Sequence, residues 1–200
     1  MSGLFSICRS ITGNGVRETL NKINDIIPLK INEVPTGTKV FDWTVPDEWN
    51  IKDAYVKDQD GNRIIDFKKS NLHVVGYSIP FEGKLGLEEL KENLYTLLEQ
   101  PNLIPYVTSY YEKRWGFCLS HNEFLKLKED LYDVKIDSTL EPGHLTYADL
   151  VIDGRTEDEI LISTYVCHPS MANNELSGPV VSTFLAKHLL ELKDKLFYTY

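Results

Sequence analysis

Val16, Leu20, Ile23 and Ile27 recur at i, i+4, i+7 and i+11, one face of a helix with 3.6 residues per turn. Gly13-Asn14-Gly15 precedes this helix and Pro28 closes it. Residues 32–50 have little periodicity and read as a passage between units. From Asp53 the pattern becomes extended. Residues 53–57 and 63–67 are β-branched and aromatic, and they flank Gln59-Asp60-Gly61-Asn62, a strong hairpin signal. Residues 72–75 continue the extended character. Leu87, Leu90, Leu94 and Leu97 predict a helix that Pro101 stops. Residues 106–111 and 115–119 predict a second hairpin across Glu112-Lys113-Arg114.

The last third has a different rhythm. Asn122 is placed to cap a helix carrying Phe124, Leu127 and Leu131, and strands are expected at residues 134–138 and 145–153. The run ILISTYVC (160–167) is nearly apolar on both faces, which predicts a central strand covered on two sides. A loop over residues 170–176 leads into Ser177-Gly178-Pro179. A helix follows with Val181, Phe184, Leu185, Leu189 and Leu192 expected inward, and LFYTY then opens another strand. Open α/β sheets place ligands where a buried strand gives way to a loop and a helix. Residues 167–178 are therefore the first place to look for chemistry.

Composition narrows the function classes. Among 200 residues, 30 acidic and 21 basic side chains leave a formal charge of -9. No stripe of Lys and Arg is present to neutralise phosphates, so a nucleic-acid partner is not expected. No apolar run reaches the ~18–20 residues of a membrane span. The N-terminal MSGLFSICRSITGNG lacks the basic start of a signal peptide. Cys8, Cys118 and Cys167 are an odd, widely spaced set, which suits reduced thiols and a cytoplasmic protein.

His168 stands at the tip of the predicted central strand, where a neutral imidazole can face a metal or simply bond the loop. Cys167 and His168 are neighbours on that strand and would point to opposite faces, which argues against a thiol–imidazole dyad. His188 is expected in the core of its helix. His144 follows Pro142-Gly143 in a turn and is a weaker site candidate.

The strings DLVIDGRTEDEILI and STYVCHPSMANNELSGPVVSTFLAKHL resemble zinc aminopeptidases of the M28 type. Over nearly the whole chain, RSITGNGVRETL, VFDWTVPDEWNI, SNLHVVGYS, RWGFCLS and CHPSMANNELSG resemble the bacterial aminopeptidase-like proteins of the DUF4910 and DUF2172 type. The resemblance implies an α/β fold with a zinc-aminopeptidase-like mixed sheet and helices on both faces. That domain, residues 1–39 and 121–200, would be interrupted by a small β-rich inserted domain at 40–120. His168 matches the first zinc ligand of the pattern. Ser170 stands where many such enzymes have a supporting Asp, and the bridging Asp falls on Asn174. Glu175 supplies the missing carboxylate if the loop aims it inward; otherwise it is a solvated loop charge. One zinc ion is expected rather than two.

In the resembling enzymes the general base is a Glu after the strand that LFYTY opens, so no residue here fills that role. The chain then reads as the front part of a longer protein, inactive alone and prone to self-association through an open sheet edge. The implied activity is hydrolysis of a peptide or amide bond in a small substrate, linked to surface-polysaccharide biosynthesis. The competing reading is a non-catalytic binding or assembly module that kept the fold and lost the metal site.

Overall fold

The computed structural model describes residues 1–200, the side chain of Lys193 excepted. By its contacts the chain divides into two compact units, one formed by residues 1–45 with 144–200 and the other by residues 46–143. Each is mixed α/β in character.

The outer unit opens with a single turn, α1 (Ser2–Phe5), and the amphipathic helix α2 (Asn14–Asn24), which buries Val16, Thr19, Leu20 and Ile23. Strand β1 (Lys30–Pro35) pairs antiparallel with β10 (His144–Asp149), Pro35 opposite His144 and Lys30 opposite Asp149. A minimal hairpin joins β2 (Lys39–Val40) to β3 (Trp43–Thr44). Helix α5 (Ser177–Glu191) closes the unit.

The inner unit is built on a four-stranded antiparallel sheet, β5–β4–β9–β6, made of β4 (Glu48–Lys57), β5 (Arg63–Asp66), β6 (Phe81–Gly86) and β9 (Leu131–Glu141). Tyr132, Val134, Ile136 and Ser138 alternate inward along β9, the two-residue period of a half-buried strand. Tyr132, Val134 and Ile136 meet Ala54 and Val56 of β4, Leu87 and Leu90 of α3 (Leu87–Lys91) and Phe117 of β8 (Phe117–Cys118) in one core. Each fully buried aliphatic or aromatic side chain there contributes about 1.5–3 kcal/mol.

The expected hairpin at residues 53–67 forms as β4 and β5. Its turn is closed by Asp58 N–H to the Asn62 carbonyl at 3.1 Å and needs the positive φ of Gly61, 82°. Arg63 lies across the pair, its Nη2 donating to Asp53 Oδ2 at 2.8 Å and its guanidinium stacked 4.3 Å over the Tyr55 ring. Hydrogen bonds from Arg63 hold the Asp53 carboxyl below its ordinary range, against a smaller opposing effect of burial. A depressed folded pKa contributes stability that is complete above the ordinary value of ~3.9 and is lost as pH falls through the folded value. Arg63→Ala should therefore cost about 1 kcal/mol at pH 7, and the gap to wild type should narrow in urea titrations as pH falls below the ordinary carboxylate value.

Other sequence expectations are corrected. The Leu87–Leu97 helix ends at Lys91. The chain turns at Asn93, and β7 (Leu94–Tyr95) pairs in parallel with β8, so tertiary pairing overrides helical spacing. That pairing also replaces the hairpin expected at residues 106–119. Ser120, not Asn122, caps α4 (His121–Phe124), and Leu131 begins β9 instead of ending a helix. Residues 121–143 lie in the inner unit, because β9 is the strand between β4 and β6.

The run 160–167 is not a buried strand. Leu161 is 89% exposed, and the backbone pairing near it is a bridge between Glu159 and Thr199, with the Ile160 N–H donating to the Thr199 carbonyl and the Thr199 N–H to the Asp158 carbonyl. An apolar run becomes a central strand only where strands flank it on both edges, and none does so among the described residues. Helix α5 is apolar around most of its circumference. It buries Pro179, Thr183 and Leu189 and leaves Val181, Phe184 and Leu185 outward. His188 is exposed beside Glu191, not in the core.

Candidate functional site

The site grows from the segment that leaves this extended run. Pro169 and Ser170 turn the chain, Ser170 with a left-handed φ of 45°. A single π-helical turn, Ala172–Leu176, then feeds α5. The wide turn rotates Glu175 and Leu176 inward while Asn174 stays outside. Such turns commonly occur at functional positions.

Glu175 is 1% exposed. Its Oε2 lies 2.8 Å from His168 Nδ1, and its Oε1 accepts from the Cys167 backbone N–H. Arg9, equally buried, faces the same carboxylate with Nε 4.0 Å from Oε1. The guanidinium donates from Nε to the His168 carbonyl at 3.0 Å and from Nη1 to the Leu4 carbonyl at 2.6 Å, with Thr19 Oγ1 at 3.4 Å from Nη1. Cys167 Sγ is 3.1 Å from His168 Nδ1, and the Tyr165 ring meets the imidazole edge-on at 5.7 Å.

Burial shapes the electrostatics. It lowers the Arg9 pKa, and the Glu175 carboxylate opposes that shift. It pushes the Cys167 thiol up to about 12, with Glu175 adding to the rise and Arg9 countering it. The Cys8 thiol is likewise pushed up to about 12 by burial. Cys167 is thus a protonated thiol at neutral pH, not an activated nucleophile. Its contact with His168 corrects the expectation that the two residues diverge: that premise needed a strand, and the backbone here is not one.

Of the residues singled out by sequence, His168 and Glu175 come together and Asn174 does not join them. The Asn174 carbonyl accepts from Tyr165 OH at 3.0 Å, on the exposed side of the turn. The solvated-charge alternative for Glu175 is overturned by its burial. His144 lies away from this cluster on β10, 4.0 Å from Glu33 Oε2. Arg9 escaped sequence reading. Its only signal was a basic residue between the apolar Leu4–Ile7 stretch and the Gly13-Asn14-Gly15 start of α2.

The donor set suits a borderline metal such as zinc: Cys167, His168 and Glu175 offer sulfur, nitrogen and oxygen atoms within 4.8 Å of one another. The 2.8 Å and 3.1 Å contacts are hydrogen-bond distances, however, and both converge on Nδ1. The arrangement fits a histidine whose Nδ1 is held by a carboxylate, the usual support for a metal ligand that binds through Nε2.

The molecule is thus a mixed α/β protein with a carboxylate-supported histidine ahead of a helix N-terminus. The chain belongs to the DUF4910 family, a domain of unknown function whose profile matches residues 1–200. It is 56% identical over 197 residues to a Clostridium acetobutylicum protein, provisionally named a polysaccharide biosynthesis protein with an aminopeptidase-like domain. The match covers 98% of this chain and 45% of that protein. A crystal structure from the same organism, provisionally described as a peptidase, superposes with a TM-score of 0.97 at 56% identity. It covers 100% of this chain and 47% of the other. The chain therefore spans about half the length of these relatives. No helix among the described residues is long and apolar enough to cross a membrane.

Proposed function

We propose that this chain forms the N-terminal portion of a zinc-dependent, aminopeptidase-like hydrolase that cleaves a peptide or amide bond in a small substrate. The observation that carries this reading is the 2.8 Å contact between His168 Nδ1 and the buried Glu175 carboxylate. With Nδ1 engaged, Nε2 is the ring nitrogen that would hold the metal, and Glu175 would fix the tautomer and raise the basicity of the ring. Zinc, when bound, supplies Lewis acidity and a bound water with a pKa near ~7. Arg9, Glu175 and the Cys167 amide hold the imidazole in place. The remaining ligands and the general base would come from outside residues 1–200, in keeping with the greater length of the relatives. Their names support the peptidase class, and the Clostridium acetobutylicum name supports an amide or acyl bond on a saccharide intermediate as a target. Three free cysteines suit a cytoplasmic setting.

The test is zinc content by atomic emission in the protein purified from its own host. Wild type should carry one ion per chain, and His168→Ala should lower zinc affinity by at least about tenfold. Asn174→Asp should bind like wild type, since that side chain lies on the exposed side of the turn. A folded wild-type protein that takes up no zinc would overturn this reading in favour of the binding or assembly module.

A further inference from the structure

We propose that Arg9 is a positioning residue for His168, holding the imidazole and its carboxylate partner in register before any ligand arrives. The proposal rests on the reading of His168 as a metal ligand.

Three observations carry it. First, one planar guanidinium reaches both halves of the site: Nε donates to the His168 carbonyl at 3.0 Å and lies 4.0 Å from Glu175 Oε1. One nitrogen thus bonds the backbone of the histidine and holds positive charge 4.0 Å from the carboxylate on its ring, and the planar fork fixes the direction of that nitrogen. Second, that fork is anchored away from the site. Nη1 donates to the Leu4 carbonyl at 2.6 Å and sits 3.4 Å from Thr19 Oγ1, which itself donates to the Gly15 carbonyl at 2.8 Å. The 167–168 segment is thereby tied to α1 and α2, which lie far from it in sequence. Third, Arg9 is poorly satisfied for a buried cation. Its Nη2 is buried with no hydrogen-bond partner among the described residues. A residue selected for stability alone would be expected to have its donors paired, or to be apolar, because burying an incompletely paired charge is unfavourable. The position tolerates that cost while aiming Nε at His168.

Lysine keeps the charge at this position but loses the fork. The experiment compares wild type, Arg9→Lys and Thr19→Val in the full chain, below their melting temperatures. Zinc affinity is measured by chelator competition. The ring nitrogens of His168 are followed by 15N NMR without metal, which reports the bond between Nδ1 and Glu175 independently of zinc and of activity.

Arg9→Lys should fold, bind zinc about tenfold more weakly and shift the His168 ring signals. Thr19→Val, which removes one anchor, should move both readouts in the same direction by a smaller factor. A folded Arg9→Lys protein with wild-type zinc affinity and unshifted ring signals would overturn the proposal. If Arg9→Lys does not fold, Thr19→Val decides, and unchanged readouts there overturn it as well. If wild type binds no zinc, the hydrolase reading fails on its own, and the metal-free ring signals still decide the role of Arg9.

Discussion

Glu175→Ala should destabilise the outer unit by about 3–5 kcal/mol, measured by urea unfolding. The substitution leaves the Arg9 guanidinium, 1% exposed, without the carboxylate that offsets its burial. It also removes the acceptor for the Cys167 amide and the partner of His168 Nδ1. An unsatisfied buried donor costs about 1–3 kcal/mol in its own right. Pairing Glu175→Ala with Arg9→Met should recover part of the loss, because two apolar groups in place of a buried ion pair cost far less than one orphaned charge. A single-mutant loss below about 1 kcal/mol would mean that Arg9 finds water once Glu175 is gone, and that the pair is not sealed as its burial implies.

Gly15→Ala should be nearly as damaging, at about 2–4 kcal/mol, although alanine is the better helix former by about 1 kcal/mol. A Cβ on Gly15 would stand 1.8 Å from the Cys8 carbonyl oxygen and 3.2 Å from the Arg9 Cα. Both are backbone atoms, so no side-chain rotation relieves the clash. Helix α2 would have to withdraw from the segment that carries Arg9. Gly3→Ala is the matched control, since a Cβ there meets nothing within 4 Å. Thermal melts should show Gly3→Ala within about 0.5 kcal/mol of wild type and Gly15→Ala well below it. Equal melting of the two variants would contradict the tight approach of α2 to the Cys8–Arg9 backbone.

These particulars show which features could be seen in the chain and which could not. Helix α2 and the β4–β5 hairpin were legible because each is decided by its own residues, a 3.6-residue period and a glycine turn, and the 134–138 segment of β9 was legible as a strand. The run 160–167 was misread because burial of a strand is set by its neighbours, and apolar composition alone does not supply them. Leu94 was misread because parallel pairing with Phe117 outweighs a favourable helical spacing. At the site, His168 stood out by its place after the apolar run and by family resemblance, and Glu175 as the carboxylate beside the resemblance's position at Asn174; the fold buries Glu175 against His168 and leaves Asn174 exposed. No sequence pattern distinguishes which of two adjacent loop residues a π turn will bury. Arg9 was illegible for a related reason. It lies 159 positions from His168, and only the folded chain brings the two within 3.0 Å.

The register of the two sheets bears on the order in which the chain acquires its structure. Strands β1 and β10 are separated by the whole of the inner unit, so joining them in an unfolded chain means closing a loop on the order of a hundred residues. Within the inner unit, Glu48 pairs with Glu141, which holds that unit's two ends side by side. Once it has folded, the loop left for β1 and β10 to close shrinks to roughly fifteen residues, an entropic saving of about 1.5–2 kcal/mol. Residues 46–143 therefore act as an internal clamp. With residues 46–143 folded, the contacts that enclose Arg9, His168 and Glu175 have only the shorter loop to close.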